Sequence, residues 1–547
     1  MRRRIASHLV VLVVGMVVAA AALHVLGPSR DPNRAAGTEQ PTGQPTGQRA
    51  GQRAGPQPAG HQSGQKSYGL YVGGDHTADG SVLLGGSGDE VSSHWLEIVP
   101  GKDHPPGATM SVGVTGEAAI PGELIQIPQV PRTHKYISMD YSEFEGFPPP
   151  LTNGGLNEHQ VAIRDIWSPS REELVDMTPT PQRGPQYSDL ARIGLQRATS
   201  AREAVQIMGE LIDKHGYSTY GGNSHLIADA GEGWVMLQFA GGQGLWVAER
   251  LGADDIRMSY PGYITQIPAN CREHPDFACS ADFVDFAAQQ GWWQRGTPFD
   301  VNEVYGEKGW DYRATPGEGK YVAPATIEQE LARLAPVTLE EFMATVRDSR
   351  ISSDRTGYGQ VAQLRRGIDR DLLRLWVSPI AAATSPLIPY SIGVSDEPPE
   401  YRQHRYLTKD AGNTFLNPEY APQEGTEFAG RLFKRLMYHT CTHPEQFHPE
   451  VREALHGFEQ RMRAEQATVE DTARTLIDAG KRHLAHRYLT EYSHTRAAEA
   501  MDLGRALVGS IEARAKLRHG IPEPPKSEDI NGGSSEFGDY VTCHQPR

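Results

Sequence analysis

Apolar positions along the chain fall into three regimes. Gly69 to Gly73 and Ser81 to Gly85 are short apolar runs separated by Thr77-Ala78-Asp79-Gly80, a pattern that predicts a β-hairpin around an Asp-Gly turn. A second strand-rich region is expected over His225–Asp229, Trp234–Phe239 and Leu245–Ala248, with Ala230-Gly231-Glu232-Gly233 as a turn. Between the two lies a helix: Ser200 and Glu203 read as a capping box, Ala204, Ile207, Met208 and Leu211 form one face, and Gly216 is the stop. Beyond Pro449 the period changes to that of long helices, with Val451, Leu455, Phe458 and Met462 in one stripe and Met501, Val508 and Ile511 in another. These stripes read as core-facing sides of a helical hairpin packed on the body. Strands and helices that alternate in blocks predict an α+β fold.

The N-terminus follows a different logic. Arg2, Arg3 and Arg4 precede an apolar run from Leu9 to Leu23 broken only by Gly15, as in an export signal. Ala20, Ala21 and Ala22 offer a cleavage site, while His24, Val25 and Leu26 extend the run toward an uncleaved anchor. Residues 1–28 are therefore expected to be a signal peptide or signal anchor. Residues 29–66, rich in Gly, Gln, Pro, Thr and Ala, read as a disordered linker or propeptide that has too little apolar surface to offset its ordering entropy. A catalytic body over 67–400, a mostly helical part over 401–520 and an extended tail over 521–547 complete the expected organisation. The protein is expected to be secreted or extracytoplasmic, or tethered to a membrane by its N-terminal segment.

Composition narrows the chemistry. With 68 Asp and Glu against 53 Lys and Arg in 547 residues, the chain lacks the positive excess that nucleic-acid binding needs. Four cysteines are too few for a disulfide scaffold. In an exported protein, Cys271 with Cys279 and Cys441 with Cys543 are expected as two structural disulfides rather than reactive thiols. His439, His443 and His448 invite a metal reading, but their spacing across a Pro-containing segment fits no standard site, and no metal or cofactor is expected.

Ser67 stands where the linker meets the first strand, in reach of a protease. Cutting the Lys66–Ser67 bond would free an α-amine on the same residue as a hydroxyl. That amine, with an ordinary pKa of about 7.7–8.0, is the base a serine nucleophile needs at neutral pH.

The residues that follow resemble the dipeptidase family of N-terminal-nucleophile hydrolases, relatives of the penicillin V and choloylglycine acylases and of secernins. In that family a cysteine begins the mature chain, followed by a short strand, Asp-Gly-Ser, a second strand and an Arg-Asn-x-Asp-like segment. Here the matching positions are Ser67, Gly69 to Gly73, Asp79-Gly80-Ser81, Val82 to Leu84 and Gly86-Ser87-Gly88-Asp89. Further matches are Gly155-Leu156-Asn157-Glu158-His159, Asp189 to Arg192, Ala201 to Ile212, Asn223 to Asp229, Trp246 to Ala248, Gly359 to Arg365 and His404 to Leu407.

The resemblance implies a four-layer αββα sandwich with an added C-terminal helical region, and an amide hydrolase working through an acyl-enzyme on short peptides. By the same resemblance Ser67 is the nucleophile, Asp89 holds its α-ammonium, and Asn223 and Asn157 orient substrate or donate to the oxyanion. Two departures stand out: serine replaces the cysteine, and Gly86 replaces the arginine before the aspartate. His76, His159, Arg164 and Arg355 are candidates to supply the lost charge. An inactive member that binds peptides or a partner, and an acylase acting on amide-linked small molecules, are the alternatives.

Overall fold

A computed structural model of the protein describes residues 67–89, 93–142, 146–309, 311–316, 320–404, 425–521 and 541–544. The segments expected as export signal and linker, residues 1–66, and most of the expected tail lie outside these residues. Among those described, no helix is long and apolar enough to cross a membrane.

The hairpin read from the sequence is β1 (Tyr68–Val72) and β2 (Val82–Ser87), antiparallel, with Tyr68 opposite Ser87 and Val72 opposite Leu83. Its turn closes as an Asx turn: the Asp79 carboxylate accepts from the Ser81 N–H at 3.1 Å, and Gly80 takes φ +74°. A six-stranded sheet grows on this hairpin by adding β14 (Ile256–Ser259) on one side. On the other side it adds β18 (Gly359–Leu364), β19 (Arg374–Ser378) and β20 (Ile388–Ser391).

An eight-stranded sheet contains β3 (His94–Val99), β8 (Tyr136–Tyr141), β9 (Leu151–Asn157), β10 (Ala162–Ile166), β11 (Asn223–Ala228), β12 (Gly233–Gln238), β13 (Trp246–Leu251) and β16 (Phe277–Cys279). Three small ribbons pair β4 (Lys102–Asp103) with β7 (Arg132–Thr133), β5 (Thr109–Val112) with β6 (Ile125–Pro128), and β15 (Gln266–Ile267) with β17 (Phe299–Asp300).

The two large sheets face one another. A Cβ on Gly69 would stand 2.9 Å from Ile166 and Leu226, so glycine there lets β1 lie directly on the second sheet. The Tyr71 ring packs on Gly233 in the same way. The far face of the eight-stranded sheet, with Ile163, Ile227, Trp234 and Met236, is covered by the helices Tyr187–Arg197 and Ala201–His215. Gly85, on the far face of the six-stranded sheet, packs under Phe342 and Val346 of the helix Leu339–Val346. The architecture is α+β with antiparallel sheets and a helical C-terminal extension.

Two helix ends differ from expectation. Ser200 caps Ala201–His215 by accepting from the Glu203 N–H at 3.2 Å, but the Glu203 carboxylate reaches Thr199 N at 2.7 Å instead of closing the box on Ser200. The second long C-terminal helix starts at Pro444, where a proline costs no helical hydrogen bond, and runs through Pro449 to Asp478. It packs with Ala429–Cys441 and Arg482–His519, and Val451, Leu455, Phe458, Met462, Met501, Val508 and Ile511 are all buried. Cys271 is joined to Cys279 and Cys441 to Cys543.

Candidate active site

The N-terminal end of β1, the C-terminal end of β2 and the start of β18 converge at one edge of the six-stranded sheet. Ser67, just before β1, is 2% exposed. Because Tyr68 pairs with Ser87, the chain leaving β2 passes Ser67, and the Asp89 N–H donates to Ser67 Oγ at 3.4 Å. The Asp89 carboxylate accepts from Thr356 Oγ1 at 2.7 Å and from Ser87 Oγ at 3.4 Å. Its other oxygen is paired with the Lys320 ammonium, whose side chain is fully buried and lies over the Tyr68 ring, 5.4 Å from the centroid. Burial, and then the charge of Asp89, push the Tyr68 phenol well above the ordinary tyrosine range, so it stays protonated and donates to the Val346 carbonyl at 2.6 Å.

Thr356 sits on a loop braced from the C-terminus. Asp354 is bonded twice to Val541, its side-chain Oδ1 accepting from Val541 N at 3.2 Å and its own backbone N–H donating to Val541 O at 2.8 Å. Lys434 reaches the Asp354 carbonyl, and Tyr438 donates to its carboxylate at 3.2 Å. The Cys441–Cys543 bridge joins the two braces, so the helical extension and the tail hold the loop that holds Asp89.

Gly86 explains one departure from the family pattern. It takes φ +148°, and a Cβ there would fall 2.0 Å from the Tyr68 carbonyl oxygen. A side chain at 86 is therefore incompatible with the β1–β2 pairing seen here.

A cation is present in the gap between the sheets all the same. Arg164, from the middle of β10, is wholly buried. Its Nη1 donates to the Asn153 carbonyl at 3.1 Å, and its guanidinium lies 4.8 Å from the centroid of the Tyr358 ring. Nε and Nη2 are buried with no hydrogen-bond partner, and no acid pairs with this arginine among the described residues. A buried charge so placed costs several kcal/mol, which makes it a candidate for function. Tyr358 belongs to the same loop as Thr356 and Gly357, whose N–H donates to Gly88 at 2.8 Å, so Arg164 and Ser67 flank one segment. His94 lies against Gly357 and bonds Asn153 Oδ1 at 3.0 Å through Nε2. Gln360, opposite Gly86, keeps both amide atoms buried and unpartnered among the described residues.

Asn223 opens β11. Since Gly69 lies against Leu226 and Tyr71 against Gly233, the partner of Ala228, stepping back along β1 to Ser67 leads toward Ser224 and Asn223. The Asn223 Nδ2 donates one hydrogen to Ser224 O at 3.0 Å and has a second to give; its Oδ1 is buried and unpartnered among the described residues.

Asn157 is placed elsewhere. Its Nδ2 donates to Leu195 O and Ala198 O, and its Oδ1 accepts from the His159 and Val161 N–H groups, all at 2.8–3.0 Å. Every polar atom is engaged in shaping the β9–β10 turn. In the ladder Thr152 lies level with Ile166, five residues and about 17 Å of strand from Asn157. In this structure Asn157 ties the β9–β10 turn to the end of the helix Tyr187–Arg197. His76, bonded to Asp254 O at 2.9 Å, and His159 likewise lie at the other ends of their strands, whereas Arg164 and Arg355 fall on the Ser67 side.

Lys320, Thr356 and Tyr358 were not singled out by the sequence, and Gln360 entered only as part of the Gly359 to Arg365 match, with no role. Lys320 and Thr356 lie more than 200 residues from Asp89 with no local motif, and only the pairing of β18 with β2 brings the 356–360 segment in. Among the described residues no trio of His, Cys, Asp or Glu side chains suited to a metal converges at Ser67.

Residues 69–315 match the model of Peptidase family C69, a match that begins two residues after Ser67. Among solved structures, two variants of the conjugated bile acid hydrolase from Clostridium perfringens align at 11% and 10% identity. Each alignment covers 59% of this chain and 92% of the other, with TM-scores of 0.28 and 0.27. The matched stretch runs from within β1 to the segment preceding Lys320 and takes in Asp89, Arg164 and Asn223.

Proposed function

We propose that the protein is an exported amidohydrolase in which Ser67, freed at its α-amine by cleavage after Lys66, is the nucleophile on short peptides. The observation that carries this is Ser67 itself: buried at the start of β1 with its Oγ on the Asp89 N–H. The α-amine takes the Oγ proton as Oγ bonds to the substrate carbonyl carbon. The C–N bond then breaks, the amine departs with that proton, and water hydrolyses the Ser67 ester with the α-amine again as base. The Asp89 carboxylate is paired with Lys320 next to Ser67, so the two charges balance one another at the nucleophile. Asn223 Nδ2 supplies a hydrogen bond to the oxyanion, a contribution of about 3 kcal/mol for a well-placed donor. Arg164 receives a carboxylate of the substrate, the charge that Gly86 cannot provide. The layering of helices on the outer faces of two apposed sheets supports the αββα reading of the fold.

Two readings compete. A carboxylate-bearing amide that is not a peptide satisfies the same groups, and the family assignment favours neither leaving group. An inactive, ligand-binding member is favoured by one contact: Lys320 already occupies the Asp89 carboxylate that would hold the α-ammonium. A panel of dipeptides and N-acyl amino acids tests all three. Ser67→Ala is expected to abolish hydrolysis and Ser67→Cys to retain it. Equal turnover by parent and Ser67→Ala would sink the nucleophile assignment, and no turnover by a parent with a free Ser67 would favour the binding protein.

A further inference from the structure

At the opposite end of β8 and β9 from Ser67, three side chains meet whose donor atoms all lie within 4.8 Å of one another: His134, Glu158 and His159. The local chain delivers them. Asn157 draws in the His159 and Val161 N–H groups, and Gln160 takes the left-handed conformation at φ +66°, so Glu158 and His159 project at the tip of the turn. Glu158 is tied to the β8 side through its N–H to Lys135 O at 2.9 Å and through Oε1, which accepts from Lys135 N at 2.9 Å. His134 precedes β8, and its ring centroid is 4.2 Å from that of His159.

The hydrogen bonding of His134 points to a cation. Its Nε2 is 3.3 Å from the Arg197 carbonyl, which can only accept, so Nε2 carries the proton. Nδ1 then presents a lone pair toward Glu158 Oε1 at 3.8 Å, one acceptor facing another. Either a second proton on the ring or a metal ion resolves that contact. An imidazole that donates one N–H to a backbone carbonyl and turns its other nitrogen toward a carboxylate is the arrangement of a metal-ligating histidine with its orienting partner. Arg370 is 3.2 Å from the other carboxylate oxygen of Glu158, which orients Oε1 toward the imidazoles and contributes an opposing charge.

We infer that His134, Glu158 and His159 bind a divalent transition metal of the zinc class, a structural clamp distinct from the Ser67 site. Two imidazoles and one carboxylate are a recurrent zinc donor set, with bonds of about 2.0–2.2 Å that require the donors to close to about 3.3 Å from one another. His159 is exposed and free to make that movement. The ion would join the β7–β8 connection, the β9–β10 turn and, through His134, the end of the helix Tyr187–Arg197, whose Gln196 carbonyl accepts from His134 N at 2.8 Å. Asn153, beside Arg164, is five residues and about 17 Å of strand from Glu158, so the ion takes no part in chemistry at Ser67.

Titration of metal-stripped full-length protein with zinc chloride at pH 7.5, followed calorimetrically, tests this. One tight equivalent is expected, weakened at least tenfold by His134→Ala and by His159→Ala, with a zinc-dependent rise in melting temperature in the parent alone. Circular dichroism of the His159→Ala protein establishes that it is folded, and cobalt in place of zinc should give the visible bands of a tetrahedral site. His443 and His519, stacked 3.6 Å apart, are the control pair, and their double alanine variant should bind like the parent. Zinc binding unchanged in folded His159→Ala, or no equivalent beyond that of the His134→Ala/His159→Ala double variant, would overturn the inference in favour of a protonated His134 paired with Glu158.

Discussion

Replacing Arg164 by methionine separates a structural from a functional reason for burying a cation between the sheets. Methionine keeps an unbranched chain of similar reach and deletes the charge. The change removes the hydrogen bond to Asn153, worth about 1.5–3 kcal/mol for a charged donor, and the contact with the Tyr358 face, worth about 2 kcal/mol when desolvated. Against these stands the desolvation of a guanidinium that has two nitrogens unpartnered and no ion pair to an acid among the described residues, a cost of several kcal/mol. The net expectation is a variant as stable as the parent, or more stable by about 1–4 kcal/mol, as when buried charges give way to apolar side chains. Activity should move the other way. Losing a buried contact to a substrate carboxylate costs about 3 kcal/mol, on the order of a hundredfold in kcat/KM, carried mainly by KM. Urea unfolding gives the stability arm. Hydrolysis of dipeptides with free and with amidated C-termini gives the other, and the parent's preference for the free carboxylate should collapse in Arg164→Met. A variant that is clearly destabilised yet retains that preference would refute the reasoning, because Arg164 would then be a packing residue.

Cys543→Ser should lower the melting temperature, since the lost bridge spans 102 residues and the chain-entropy term for such a loop is about 4–5 kcal/mol. It should also reduce activity, because the Val541 segment braces the loop that carries Thr356; full activity at a temperature where the variant is folded would argue against that brace. Gly86→Ala is expected to cost about 3 kcal/mol or more through backbone strain and the clash with Tyr68 O, so a thermal scan of this variant and of Gly86→Arg should show large losses and no gain in turnover. Asp140 is held up at about 7 by burial and then by the charge of Glu97, against an unfolded value of about 3.9. The folded chain therefore binds more protons between those values, and the stability present below about pH 4 is lost as pH rises to about 7, by about 4 kcal/mol. Asp140→Asn should flatten that part of the stability–pH curve, and an unchanged curve would place the effect elsewhere.

Local features were legible where local rules dominate. The hairpin at Asp79-Gly80, the helix after Ser200 with its Gly216 stop, and the stripe from Val451 to Met462 rest on turn chemistry and periodicity, which act over a few residues. Pro449 misled because proline marks a helix start more often than it lies inside one. Ser67 and Asp89 are brought together by the register of the hairpin, although in the sequence they were joined only through the family resemblance. Lys320, Thr356 and Gln360 depend on β18 joining β2, a pairing across more than 270 residues that no local pattern records. Asn157 shows the converse case: an Asn beside a turn was read as a substrate contact, and only the folded chain shows its four hydrogen bonds going to backbone groups. Arg164 stands between Ile163 and Asp165 in β10, and its burial with no ion pair to an acid among the described residues became evident only once the sheets were stacked.

The central claim is that Ser67 becomes the first residue of the working protein. Intact mass and N-terminal sequencing of the exported chain test it most directly. A dominant species that begins at Ser67 with a free α-amine is expected, formed in step with the appearance of amide hydrolysis. Active protein in which every molecule retains Lys66 would contradict it.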